Sequence, residues 1–110
     1  MDVQPLVEAV EALADRFRSL PQSKLLGAVP GHASRAAAGL ALARRLAGLA
    51  LAAEGEPERE VPDAGVFAVG DQLAVAGHDL AAALTALPEG GEAVLAGALA
   101  AVRETAALCA

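Results

Sequence analysis

Residues 70–87 read GDQLAVAGHDLAAALTAL, two consecutive units of seven that begin at Gly70 and Gly77 and continue in register through Leu84. Gly70, Gly77 and Leu84 recur at one position of the seven, and Leu73, Leu80 and Leu87 at another. Seven residues make about two turns of an α-helix, so both positions fall along one seam. Glycine inside a helix costs about 0.5–1 kcal/mol relative to alanine. Two glycines at this spacing, flanked by alanines, therefore predict a neighbouring helix packed at the short end of the usual interaxial range of about 8–10 Å.

The rest of the chain organises around that seam. Pro62 and Asp63 mark a start for this helix and Pro88-Glu-Gly-Gly91 a stop, which gives a helix over about 63–87. A last helix follows over about 92–108, with Leu95, Leu99, Val102 and Ala106 turned inward and Arg103 and Glu104 toward water. Upstream, residues 54–62 are acidic and broken by Gly55, Pro57 and Pro62, as an exposed linker requires. Before the linker, a helix over about 33–53 carries Leu42, Leu46 and Leu49 on one stripe and Leu40 and Leu51 with Ala47 on another. Gly39, Ala43 and Ala50 lie between the two stripes, so the helix touches two neighbours and leaves Arg44 and Arg45 outside.

The first helix spans about 3–19, with Asp2 as its cap and Pro5 in the first turn, where a missing N–H costs nothing. Leu6, Val10, Leu13, Phe17 and Leu20 form its apolar stripe, opposite Glu8, Glu11, Asp15 and Arg18. Pro21, Gly27, Pro30 and Gly31 break up the connector from Leu20 to His32, where a short helical turn is expected at Gln22 to Leu26. The expected fold is all-α: one domain over residues 1–110, an Ala-rich, closely packed antiparallel four-helix bundle made of two helical hairpins joined by the linker at 54–62.

Composition agrees. Hydrophobic residues make up 55% of the 110, but about half of these are alanine, a strong helix former with little side-chain volume, so the core must be thin. Tryptophan and tyrosine are absent and Phe17 and Phe67 are the only aromatic residues, which leaves few strand formers. A net charge of -6 opposes binding to a phosphate backbone, so nucleic acid is not an expected partner. Uncharged runs such as Ala93 to Val102 are half the length of roughly 20 apolar residues that spans a bilayer, and no membrane partner is expected. The start of the chain has no basic region followed by an apolar core, and the single Cys109 has no internal disulfide partner; a cytoplasmic location is expected, with a bridge between two chains as the alternative use of that thiol.

The polar positions of the heptad hold Asp71, Gln72, His78 and Asp79, with Thr85 a further seven residues on from His78. Asp71, His78 and Thr85 share one side, and Phe67 lies one turn before Asp71. Residues seven apart are separated by about 10.5 Å along the axis, too far for Asp71 and His78 to share a metal or a proton. This side forms a second seam, half apolar and half polar, suited to another subunit, while Gly70, Gly77, Leu73 and Leu80 serve close packing. His32, in the connector, would need carboxylates as well as His78 to hold a metal, and the chain has no Cys/His cluster and no Glu-x-x-His pair. No phosphate loop, nucleophile elbow or glycine-rich cofactor turn is present, so no catalytic residue, metal or cofactor is assigned.

The string His78-Asp-Leu-Ala-Ala-Ala83 resembles, at His78 and Leu80, the His-x-Leu-Lys-Gly phosphoacceptor segment of histidine phosphotransfer domains. Ala81 and Ala82 stand where that family has Lys and Gly, so the charge that steadies a phosphoryl group is missing. The function expected from the sequence is a non-enzymatic interaction or dimerisation module, pairing with itself or another helical protein. The alternative is a small-molecule or phosphoryl-handling bundle that uses His78.

Overall fold

Ser34 begins the longest helix: its side chain accepts a hydrogen bond from the Ala37 N–H at 3.0 Å, satisfying one of the donors left free at a helix start. In the computed structural model, which describes residues 1–110, the chain is all-helical. Four long helices and one short one make up the fold: α1 (Gln4–Ser19), the single turn α2 (Gln22–Leu25), α3 (Arg35–Glu54), α4 (Val69–Ala86) and α5 (Glu92–Leu108). A 3-10 turn at Val66–Ala68 leads into α4. The radius of gyration, 13.4 Å, matches the roughly 13 Å of a compact chain of this length.

α4 is the most fully packed helix and lies against both α3 and α1. Leu73, Leu80 and Leu84 are completely or almost completely buried, as the heptad predicts. Gly70 and Gly77 are buried too: a Cβ on Gly70 would stand 2.9 Å from the Ala14 carbonyl oxygen, and one on Gly77 would overlap the Val10 side chain. Gly39 does the same for α3, where a Cβ would meet Val69 Cγ1 at 2.6 Å and Phe17 Cζ at 2.8 Å. Close approach thus explains glycines that helix propensity alone disfavours. One core of 24 residues results, nine of them alanine, which is the thin core that the composition requires.

Several local expectations change. The helix expected from residue 63 begins at Val69, because the Asp63 carboxylate takes the Gly65 N–H at 2.9 Å and Gly65 adopts φ 93°, a conformation outside the helical region. α1 is preceded by Val3 rather than capped by Asp2, whose Oδ1 accepts from the Gln4 N–H at 3.0 Å just ahead of the first turn. In α5 the buried residues are Ala98, Ala101 and Val102, while Leu95 and Leu99 are only half-buried along one edge. The small side chains face the core because α5 rests on α1 and α3 with little packing against α4. α3, at 20 residues, is long and apolar enough to cross a membrane by length and composition, contrary to the expectation from uncharged runs. Its most apolar stretch is 50% buried inside the protein, and Arg44 and Arg45 lie at its middle.

The acidic linker does not swing free. α3 ends in a left-handed Gly55 (φ 71°), with Glu56 N–H donating to the Leu51 carbonyl at 2.9 Å. The chain then returns beside α3, where the Arg44 guanidinium donates to the Val61 carbonyl at 3.0 Å and the Gln72 amide to the Pro62 carbonyl at 2.8 Å.

The end of α5 is held by two arginines from other parts of the chain. Arg16 donates to the Cys109 carbonyl at 2.7 Å and to that of Ala106 at 3.2 Å; Arg35 donates to Cys109 at 3.3 Å and to the Lys24 carbonyl at 3.1 Å. Positive groups at a helix C-terminus are favoured by the carbonyls left free there. Cys109 itself is buried, so the thiol considered for a bridge between chains points into the protein. Burial pushes its pKa up, against the opposing charges of Arg35 and Arg16. Alkylation of Cys109 in the native protein is expected to be slower than in denaturant by more than about tenfold; equal rates measured by mass spectrometry would contradict this placement.

Candidate functional site

α4 is covered on its α1 and α3 sides and uncovered between them. The uncovered strip holds Asp71, Val75, His78 and Ala82, residues three or four apart that share one side of the helix, with Phe67 of the preceding 3-10 turn at its start. Phe67 is 66% exposed and Val75 61%, two of the four large hydrophobic side chains that the fold leaves in water. Another of the four, Leu26, follows α2, which packs against the 3-10 turn carrying Phe67.

Charged side chains of α1 border this strip. The Arg18 guanidinium donates to Asp71 Oδ1 at 2.8 Å and to Asp15 Oδ1 at 3.0 Å. Hydrogen bonding to Asp71 pushes the Arg18 pKa up, partly opposed by desolvation and reinforced by Asp15. One level along, His78 Nε2 lies 3.1 Å from Glu11 Oε1. All five side chains are 42% exposed or more, so these pairs add little stability and chiefly fix where charge is displayed.

On the other side of the strip, Asp71, Gln72 and Asp79 line a shallow cavity of about 310 Å³ with Val75, Ala76, Ala47 and Val61 of the linker. Gln72 spends its amide N–H on Pro62 and leaves its Oε1 enclosed without a protein partner, so it acts as an anchor for the linker. Thr85 turns back on its own helix and donates to the Ala81 carbonyl at 2.8 Å. Gly70, Gly77, Leu73 and Leu80 lie in the packed interior.

Of the polar residues singled out in the sequence, Asp71, Gln72 and Asp79 are therefore brought together around one hollow, while His78 faces α1 and Thr85 faces no neighbour. His32 is elsewhere, in an open groove of about 690 Å³ between α3 and α5 that Leu42, Arg45, Glu104 and Leu108 also line. No three His, Cys, Asp or Glu side chains converge as a metal would need.

Three residues of this surface are not singled out by the sequence. Val75 reads as one more apolar residue of an apolar helix. Glu11 and Arg18 read as solvated charge; their spacing of seven equals that of Asp71 and His78, but Glu8 and Asp15 share it, so spacing does not single out the pairs. Compared with protein-family models, curated proteins and solved structures, the chain matches none of them.

Proposed function

We propose that this protein is a non-enzymatic helical interaction module that docks a second helical surface, its own or another protein's, on the outer strip of α4. The observation that carries this reading is the exposure of Phe67 and Val75 beside the Arg18–Asp71 ion pair and the His78–Glu11 contact. An apolar pair in a charged rim is the arrangement of a recognition surface.

The long helices are proposed to form a four-helix bundle. Gly70 lies against Ala14 and Arg18, and Gly77 against Val10, which favours an antiparallel α1–α4 pair. For α3 and α4, Gly39 lies against Val69, and Ala47 lies by Ala76, which favours a shared direction with the linker returning the chain between them. That pair departs from a bundle whose neighbours are all antiparallel.

The phosphoryl-handling alternative draws less support. The Nε2 of His78 sits beside the Glu11 carboxylate, whose negative charge repels a phosphoryl donor. A cytoplasmic setting, without nucleic-acid or membrane partners, is part of the same proposal; the unpaired Cys109 and the net charge of -6 favour it.

The test is a photo-activated cross-linker placed at position 75 in cells that make the protein, with position 100 on the exposed side of α5 as control. A discrete adduct from 75 and none from 100 is the expected result. No adduct from 75 would overturn the interaction reading.

A further inference from the structure

We infer that the occupant of the α4 strip is a second copy of this chain, related by a two-fold axis that crosses α4 beside Val75. The inference rests on the interaction reading above and supplies its partner. Asp71 and His78 lie equally far on either side of the point between Ala74 and Val75, and Glu11 and Arg18 equally far on either side of the point between Ala14 and Asp15. Within one chain the Arg18–Asp71 pair (2.8 Å) and the Glu11–His78 pair (3.1 Å) thus form two rungs, set about 10.5 Å apart along the helices. The order of side chains is reversed between the rungs: α1 carries the basic residue in one (Arg18) and the acid in the other (Glu11), and α4 the acid in the first (Asp71) and the basic residue in the second (His78).

A two-fold axis perpendicular to the helices, in the plane of contact, lays each rung of one copy on the other rung of its mate. Arg18 then faces Glu11 of the second copy and Asp71 faces His78, so basic and acidic side chains alternate at each end of the contact. Asp15, near the axis, stays held by Arg18 of its own copy at 3.0 Å.

Helices related in this way are antiparallel, and the residue numbers that face each other have a constant sum. Within α4, the sum that pairs Asp71 with His78 also pairs Ala74 with Val75. Phe67, in the 3-10 turn ahead of α4, lies toward the end of the partner strip that carries the small Ala82, and Val75 lies at the centre beside its own counterpart. An unrelated partner has no need of this internal symmetry; a self-complementary interface requires it.

The experiment compares the Arg18→Glu chain, the Glu11→Arg chain and their equimolar mixture by sedimentation equilibrium. Each variant alone sets like charges against each other across the axis and is expected to dissociate at least about tenfold more readily than the unmodified protein. The mixture sets the acid introduced at position 18 of one chain against the base introduced at position 11 of the other, and is expected to recover the dimer. In parallel, Val75→Cys in a Cys109→Ser background is expected to oxidise to a covalent dimer, and Ala100→Cys in the same background is not. Circular dichroism of each variant checks that the helices persist. A monomeric unmodified chain, or a mixture no tighter than its components, overturns the second-copy inference. A position-75 adduct with the mass of a different protein overturns it too, while leaving the interaction reading standing; no adduct at all removes both.

Discussion

Replacing Gly77 with alanine lowers the stability of the fold by about 1–3 kcal/mol, although alanine is the better helix former. The new Cβ would overlap Val10, reaching Cγ2 at 2.8 Å and the valine Cβ at 3.0 Å, so a change of rotamer cannot clear it. α1 would have to move away, and the buried contacts of Val10, Leu13 and Phe17 along the same helix would loosen with it. Gly39→Ala behaves likewise, caught between Val69 and Phe17. Gly48 and Gly97 supply the control, because nothing lies within 4 Å of a Cβ at either position. Alanine there is expected to raise stability by about 0.5–1 kcal/mol. Urea denaturation of the four variants should split them by sign, two down and two up. Four gains would mean that α1, α3 and α4 do not meet at these glycines.

Leu80→Ala is expected to cost about 2–5 kcal/mol, the range for truncating a buried leucine. Leu80 is fully buried on the helix that packs against both α1 and α3. Nine of the 24 core residues are already alanine, so few large neighbours remain to collapse into the space. With a thin core the total stability falls toward the lower part of the usual range of about 5–15 kcal/mol, and this single truncation takes up much of it. The chain should be largely unfolded at moderate urea where the unmodified protein is native. Leu26→Ala, at a residue 54% exposed, should change stability by no more than about 0.5 kcal/mol. Equal losses at positions 26 and 80 would contradict the burial pattern.

The seam of Gly70, Leu73, Gly77 and Leu80 is legible in the sequence because helical period and residue size are local properties, and both point to one packed side. The start of α4 is not. Asp63 is a good helix-capping residue by type, yet here its carboxylate holds the loop N–H of Gly65, and the positive φ of that glycine delays the helix to Val69. The leucines of α5 mislead about its inward side; a helix resting in a shallow groove turns Ala98 and Ala101 inward and leaves Leu95 and Leu99 at the edge. The shared side of Asp71 and His78 is visible, since it follows from a spacing of seven. Their partners Arg18 and Glu11 are not, because a contact between helices depends on how one slides along the other. The hold of Arg16 and Arg35 on the end of α5 depends on the same long-range register and leaves no mark in either local sequence.

The surface and the fold are linked through the glycines. Gly70 and Gly77 draw α1 close enough for Arg18 and Glu11 to reach Asp71 and His78, and the same α1–α4 pairing leaves Phe67 and Val75 uncovered between charged borders. A chain that paired less closely would not bring Arg18 to Asp71 and Glu11 to His78.

Self-association through the α4 strip is read by sedimentation equilibrium of the unmodified 110-residue chain at high micromolar concentration. A single species near twice the 10.9 kDa chain mass is expected, shifting toward one chain mass when Val75→Glu is introduced. A mass of 10.9 kDa for the unmodified chain at every concentration, or a dimer that Val75→Glu leaves intact, would contradict it.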